Sequence, residues 1–362
     1  MYRKIMNFLE SWKESKHRKP LILQGARQVG KTYSILEFGR IHYENVAYFN
    51  FETNPKLNKT FEENISPDYL IPILSHIAGQ TIVKEKTLIV FDEVQLCERA
   101  LTSLKYFCES APDYHIIVAG SLLGVAVNRA KFSFPVGKVD MKTFYPMDIE
   151  EFMLALGEDD LVKQIKKCFH TNTPLPSALH DAAMQLYRQY LVVGGMPECV
   201  MQFTETKDYI LVRHTQDTIL ASYLNDMSKY NNLNEIKKTR LVYDNITVQL
   251  SKRNTRFQYK LIKKGGRASE FENAIEWLCL SGIVSQIYKV EQIKKPLENY
   301  RDIDAFKIYV SDLGLLCAKK DLSANDILYM VEEINDFKGG MAENYVNVQL
   351  TINGYHTYYW ES

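Results

Sequence analysis

Between Leu21 and Leu36 the chain reads LILQGARQVGKTYSIL: a glycine, four residues, then Gly-Lys-Thr, behind an apolar run and ahead of a helix-like one. Such spacing suits a phosphate cradle. Gly25 and Gly30 permit a tight turn that aims backbone N–H groups at an anion on a helix N-terminus. Ala26, Arg27, Gln28 and Val29 would complete that loop, Lys31 would reach the β- and γ-phosphates, and the Thr32 hydroxyl would ligate magnesium. A glycine-bearing turn beside a surface lysine uses the same letters. The short apolar strand expected at 20–23 and the helix expected at 33–38 supply the context that separates the two.

A second run, TLIVFDEVQ from Thr87 to Gln95, is an apolar strand ending in two carboxylates. Open α/β sheets place their ligands at the carboxyl ends of strands. Asp92 is therefore placed to hold magnesium, and Glu93 to orient or deprotonate an attacking water. The tandem argues for transfer to water, since a small-molecule kinase has no need of that glutamate. A third run, HIIVAGSLLG from His115 to Gly124, ends in Ser121, which could sense a γ-phosphate from the neighbouring strand or simply cap the next helix.

The elements that must position these groups follow from the rest of the chain. Its 362 residues allow two or three domains, and 46% hydrophobic with 24% charged residues is the balance of a folded chain. Lys+Arg and Asp+Glu are both 44, so no global field draws it to nucleic acid or membrane, and any such contact must rest on a local patch. Six cysteines are scattered without a Cys-x-x-Cys pair, which disfavours zinc and disulfides and suits a reducing cytoplasm. No apolar run is long enough to span a bilayer, and the charged N-terminus reads as a helix rather than a signal peptide.

Strands are expected near 20–24, 46–51, 87–91, 115–119 and 138–144, alternating with helices, which implies a parallel sheet over residues 1–150. Helical segments broken at Gly194, Gly195 and Pro197 suggest a lid over 151–232. Over 233–320, three helices followed by two strands around a charged loop give the order of a winged helix. Its Lys252, Arg253, Arg256, Lys260, Lys263, Lys264 and Arg267 form a stretch without acid, interleaved with Phe257 and Tyr259, the footprint of duplex DNA binding. A solvated face or a protein-docking surface accounts for it equally. The stretch 321–362 reads as a helix carrying Glu343 followed by a strand lacking sheet partners, as if a third domain stopped short of its core.

Eight stretches, PLILQGARQVGKT, VFDEVQ, AGSLLG, YPMDIEEF, YLVVGGMPECV, FKIYVSDLGLL, FKGGMAENYV and YYWES, together resemble the bacterial and archaeal AAA-superfamily ATPases with a C-terminal domain of unknown function. The resemblance implies an α/β P-loop NTPase fold with an additional strand, a winged-helix-like middle and a restriction-endonuclease-like C-terminal domain. Carried over, Gly25 to Thr32 are the phosphate loop, with Asp92 for magnesium and Glu93 for water; ATP as the nucleotide follows from the resemblance, there being no Asn-Lys-x-Asp motif for guanine. Two departures stand out. Gly137–Lys138 replaces the Gly-Arg of relatives, leaving Arg129 as a substitute finger, and nothing follows Ser362 to supply a nuclease's remaining carboxylates and lysine.

The leading expectation is a cytoplasmic, Mg-dependent ATPase that drives movement of a winged-helix and C-terminal module, with DNA, a protein partner or a second copy of itself as partner. The alternative is an ATP-gated switch with negligible turnover acting on a protein, favoured by the missing arginine.

Overall fold

The computed structural model describes residues 1–125, 134–229, 232–252 and 255–361. Arg129, Arg253 and Ser362 lie outside them. The chain divides into two compact units, one over 3–145 and the other essentially 146–362.

The first unit is built on β1 (Leu21–Gln24), β2 (Asn45–Asn50), β3 (Thr87–Asp92), β4 (His115–Gly120) and β5 (Asp140–Thr143), all close to the expected spans. They form one parallel sheet in the order β2-β3-β4-β1-β5, with β4 inserted between the phosphate-loop strand and the carboxylate strand. That insertion is the additional strand, and the unit is an α/β P-loop NTPase fold. Side chains alternate across the sheet, so Ile22, Ile89 and Phe91 face one core with Phe49, Phe61 and Leu104. Leu21, Leu23, Leu88 and Val90 face the other, against Leu9 and Trp12 of helix α1 (Ile5–Glu14) and Ile35 and Phe38 of helix α2 (Lys31–His42). β3 and β4 are buried along their whole length, which is why they read as continuous apolar runs rather than as alternating ones.

The second unit opens with helices, among them Ser177–Val193, Pro197–Thr206 and Tyr209–Lys229. The break falls at Gly194 and Gly195, and Pro197 starts the next helix, where its missing N–H costs nothing. Helices Leu233–Leu250, Tyr259–Ile262 and Ala268–Leu280 then precede the antiparallel pair β6 (Val284–Val290) and β7 (Arg301–Val310), followed at the end by helix Asn335–Ile352. The closing segment departs from expectation. Tyr359 is not partnerless: its N–H donates to Tyr288 O (3.1 Å) and its carbonyl accepts from Val290 N (2.9 Å), because β6 pairs with β7 along one edge only and offers the other.

Candidate active site

The phosphate loop turns sharply out of β1 and into α2. Gly25 (φ +155°) is required there: a Cβ would sit 2.1 Å from Phe144 O, at the end of β5. Gln28 (φ 65°) and Gly30 (φ 91°) both take left-handed conformations on either side of Val29, a backbone habit that makes anion-binding nests. Lys31 is the first residue of α2, so an anion in the loop meets a helix N-terminus. Arg3 fixes the loop from outside, donating to Val29 O (3.0 Å) and Tyr145 O (2.7 Å) while its guanidinium lies 4.7 Å from the Phe144 ring centroid.

Lys31 is almost wholly buried and donates to the loop's own carbonyls, Gly25 O (2.9 Å) and Ala26 O (2.7 Å). Burial lowers its pKa to about 8 from an ordinary 10.5, with Glu93 and Asp92 pulling it back up and Arg27 adding to the fall. A buried ammonium satisfied only by two neutral carbonyls is poised to exchange them for phosphate oxygens.

Thr32 Oγ donates to Asp92 Oδ2 at 2.8 Å, across a separation of 60 residues. With the hydroxyl proton so committed, its oxygen lone pairs are left for a metal. Glu93 follows in a left-handed turn (φ 51°) at the end of β3, and its carboxylate accepts hydrogen bonds from Gln95 Nε2 and Ser121 Oγ (3.5 Å). Ser121, which follows β4, thus stands beside Glu93. Loop, lysine, hydroxyl, acid and base all come together, so these residues fit a nucleotide with magnesium. No group of three or more His, Cys, Asp or Glu gathers among the described residues. A magnesium held largely by phosphate oxygens and waters needs none.

Three contributors escaped the sequence: Arg3, Tyr48 and Gln95. Tyr48 OH donates to Asp92 Oδ2 at 2.7 Å from the adjacent strand, where Asn50 is registered with Asp92. The one available signal was a polar aromatic near the carboxyl end of a strand beside the acidic one. Gln95 Oε1 is buried without a hydrogen-bond partner, against Gly120.

Other singled-out residues do structural work. Lys138 pairs with Glu109 at 2.9 Å. Glu343, on the helix Asn335–Ile352, accepts from Thr255 (2.9 Å), Tyr309 (2.8 Å) and Lys307 (3.2 Å) through one oxygen. Burial pushes its carboxyl up, but those three donors outweigh it and hold the pKa below the ordinary value. Asp312 is buried, accepting from Gly195 N (2.6 Å) and Leu315 N (2.9 Å), with burial raising its pKa to about 6. This carboxylate ties together the GGMPE and SDLG stretches. In the basic stretch, Lys252, Arg256, Lys260, Lys263, Lys264 and Arg267 are exposed, with Lys263 3.2 Å from Glu270 and Arg256 donating to Asp304 O (3.2 Å). Phe257 and Tyr259 pack on Phe306 and Phe271, filling the space between β7 and the neighbouring helix.

Residues 17–153 match a family described as an AAA domain, and residues 184–326 match a domain of unknown function (DUF8612). No curated protein matches the chain. Among solved structures it is similar to the Walker-type ATPase PABY2304 of Pyrococcus abyssi, with a TM-score of 0.52 and 14% identity over 87% of this chain and 94% of that one. Weaker likenesses include the Aeropyrum pernix ORC2 protein (TM-score 0.38, 13% identity, 93% and 92% covered) and the Aeropyrum pernix ORC1 protein in complex with DNA (0.32, 12%, 88% and 91%). The AAA-domain match falls almost wholly in the first unit, whose fold is that of an α/β P-loop NTPase. Among the described residues no helix is long and apolar enough to cross a membrane.

Proposed function

We propose that the protein binds ATP with magnesium at Gly25–Thr32 and hydrolyses it, using the nucleotide state to govern a winged-helix module. The observation that carries this is the 2.8 Å bond from Thr32 to Asp92, which joins the two halves of the site across the sheet. Bound magnesium would neutralise charge on the phosphates, as in other phosphoryl-transfer sites. Lys31 supplies the mobile cation, Thr32 and Asp92 hold the metal side, Glu93 takes a proton from water, and Ser121 reads the γ-phosphate beside it. The proposed divisions are an ATPase core over 1–150, a helical lid over 151–232, a winged-helix-like domain over 233–320 and a C-terminal segment over 321–362. Lys31→Ala should abolish nucleotide binding by calorimetry. Glu93→Gln should bind Mg-ATP yet release no phosphate; wild-type phosphate release from that variant would move the base elsewhere.

One observation favours a second reading, a slow ATP-gated switch acting on a protein partner or a second copy. The lysine at the resemblance's arginine position is paired with Glu109, so it is not poised as a finger, and a missing finger costs roughly 10³–10⁵ in rate. For a nucleic-acid partner, the exposed basic side chains support contact with the phosphate backbone. Glu272 and Glu276 on the exposed face of helix Ala268–Leu280 disfavour base reading by that helix. DNA contact through this stretch would accordingly be sequence-independent.

A further inference from the structure

From its place beside the acidic strand, we infer that Tyr48 is a positioning residue for magnesium, acting through Asp92. The inference rests on the reading of Asp92 as the metal-side carboxylate and adds a residue that neither motif contains. A carboxylate has roughly four lone-pair positions. Asp92 has three engaged: Oδ2 accepts from Thr32 (2.8 Å) and from Tyr48 (2.7 Å), and Oδ1 accepts from the Glu93 N–H (3.0 Å). One position remains for a water on the metal, which is what an outer-sphere acid needs.

Tyr48 is itself held. Asn50 Nδ2 donates to the Tyr48 hydroxyl oxygen (3.2 Å), so the phenol proton is directed at Asp92 rather than at solvent. Asn50 Oδ1 in turn accepts from the backbone of Glu52 (2.8 Å) and Thr53 (3.0 Å), anchoring this chain of donors in the turn after β2. Without the phenol, Oδ2 keeps only Thr32, and Thr32 must also offer its oxygen to the metal. The carboxylate then loses the contact that fixes its rotation independently of the metal's own ligand. Outer-shell partners of this kind typically change metal affinity 10–100-fold when removed. An opposite effect exists: a carboxylate relieved of a donor is a better acceptor and would hold the metal's water more tightly. Positioning wins in this geometry because Asp92 acts through a water, whose place depends on where the carboxylate points.

Tyr48→Phe removes a single oxygen from a partly exposed strand residue and leaves its ring. The test measures binding of a non-hydrolysable ATP analogue by calorimetry, first in EDTA and then across a magnesium titration, with melting temperatures alongside. Affinity in EDTA is expected to match wild type, while the magnesium concentration giving half of the metal-dependent gain rises about tenfold. An unchanged or lower magnesium midpoint overturns the inference, whether or not the EDTA affinity and melting temperature fall, because those changes alone mark a structural role. If wild type shows no magnesium-dependent gain at all, the reading of Asp92 as the metal-side carboxylate fails and the role of Tyr48 with it, whereas no binding even in EDTA defeats the nucleotide reading itself.

Discussion

Lys31 makes nucleotide affinity a function of pH in a range where few other groups titrate. In the nucleotide-free loop its pKa is about 8, because burial opposes the charged form. Phosphate oxygens require the ammonium, so binding above that pH must recruit a proton. With a binding-competent lysine half populated at pH 8 and about one-tenth populated at pH 9, apparent affinity should fall about tenfold from pH 7 to pH 9, or about 1.4 kcal/mol. The phosphates do not interfere, since a phosphate monoester's second ionisation lies near pH 6. Calorimetry in two buffers of different ionisation enthalpy should report uptake of about half a proton per nucleotide at pH 8. A flat affinity from pH 7 to 9 without proton uptake would refute the buried-lysine argument. Stability carries the matching sign. The folded pKa lies below the ordinary 10.5, so the unfolded chain binds more protons between the two values and stability rises with pH across about 8 to 10.5. At pH 7 the buried charge costs the fold about 3 kcal/mol, which bound phosphate would offset.

Gly25→Ala should lower the melting temperature and weaken nucleotide binding more than tenfold, since the new Cβ would sit 2.1 Å from Phe144 O at a φ of +155°; wild-type calorimetry would remove the loop from its assigned place. Asp312→Ala should cost about 3–5 kcal/mol in a urea melt by leaving the buried N–H groups of Gly195 and Leu315 unpaired, and Asp312→Asn, which keeps an acceptor, should cost less. In gel shifts, duplex DNA of any sequence should bind with a steep dependence on salt, and replacing Arg253, Arg256 and Lys260 together should flatten the log–log slope by about 3. Absence of any shift at low salt would discard the nucleic-acid contact.

The first unit was legible because its chemistry is written in local runs. β1, β3 and β4 are continuous apolar stretches, and each hands a polar group to the same edge of the sheet: the loop after Gln24, the pair Asp92 and Glu93, and Ser121. Parallel strands place those ends together whatever the intervening sequence does. Contributors arriving from elsewhere were not legible. Arg3 reaches the loop from ahead of α1, and Tyr48 reaches Asp92 from an edge strand whose outward face alternates like any other. The inward packing of the aromatics in the basic stretch was not legible for a related reason. Phe257 and Tyr259 are two apart, a spacing that fits a stacking surface as well as an inward face, and only Phe306 across from them decides which.

Buried charge separates site from scaffold in this chain. In the second unit the buried Asp312 is met by backbone N–H donors, so it gains nothing from meeting a further group. In the first unit the satisfaction is provisional. Lys31 is charged at neutral pH against neutral carbonyls, and Thr32 spends its proton and keeps its lone pairs. Gln95 keeps one buried acceptor unpaired. A buried cation held at a cost to the fold makes sense only where an incoming anion relieves it, because replacing such a lysine by an apolar residue would otherwise stabilise the domain. Lys31→Met should therefore melt higher than wild type without nucleotide and lose the stabilisation that Mg-ATP gives. A variant that melts lower would mean that the two carbonyl contacts outweigh the desolvation of the charge.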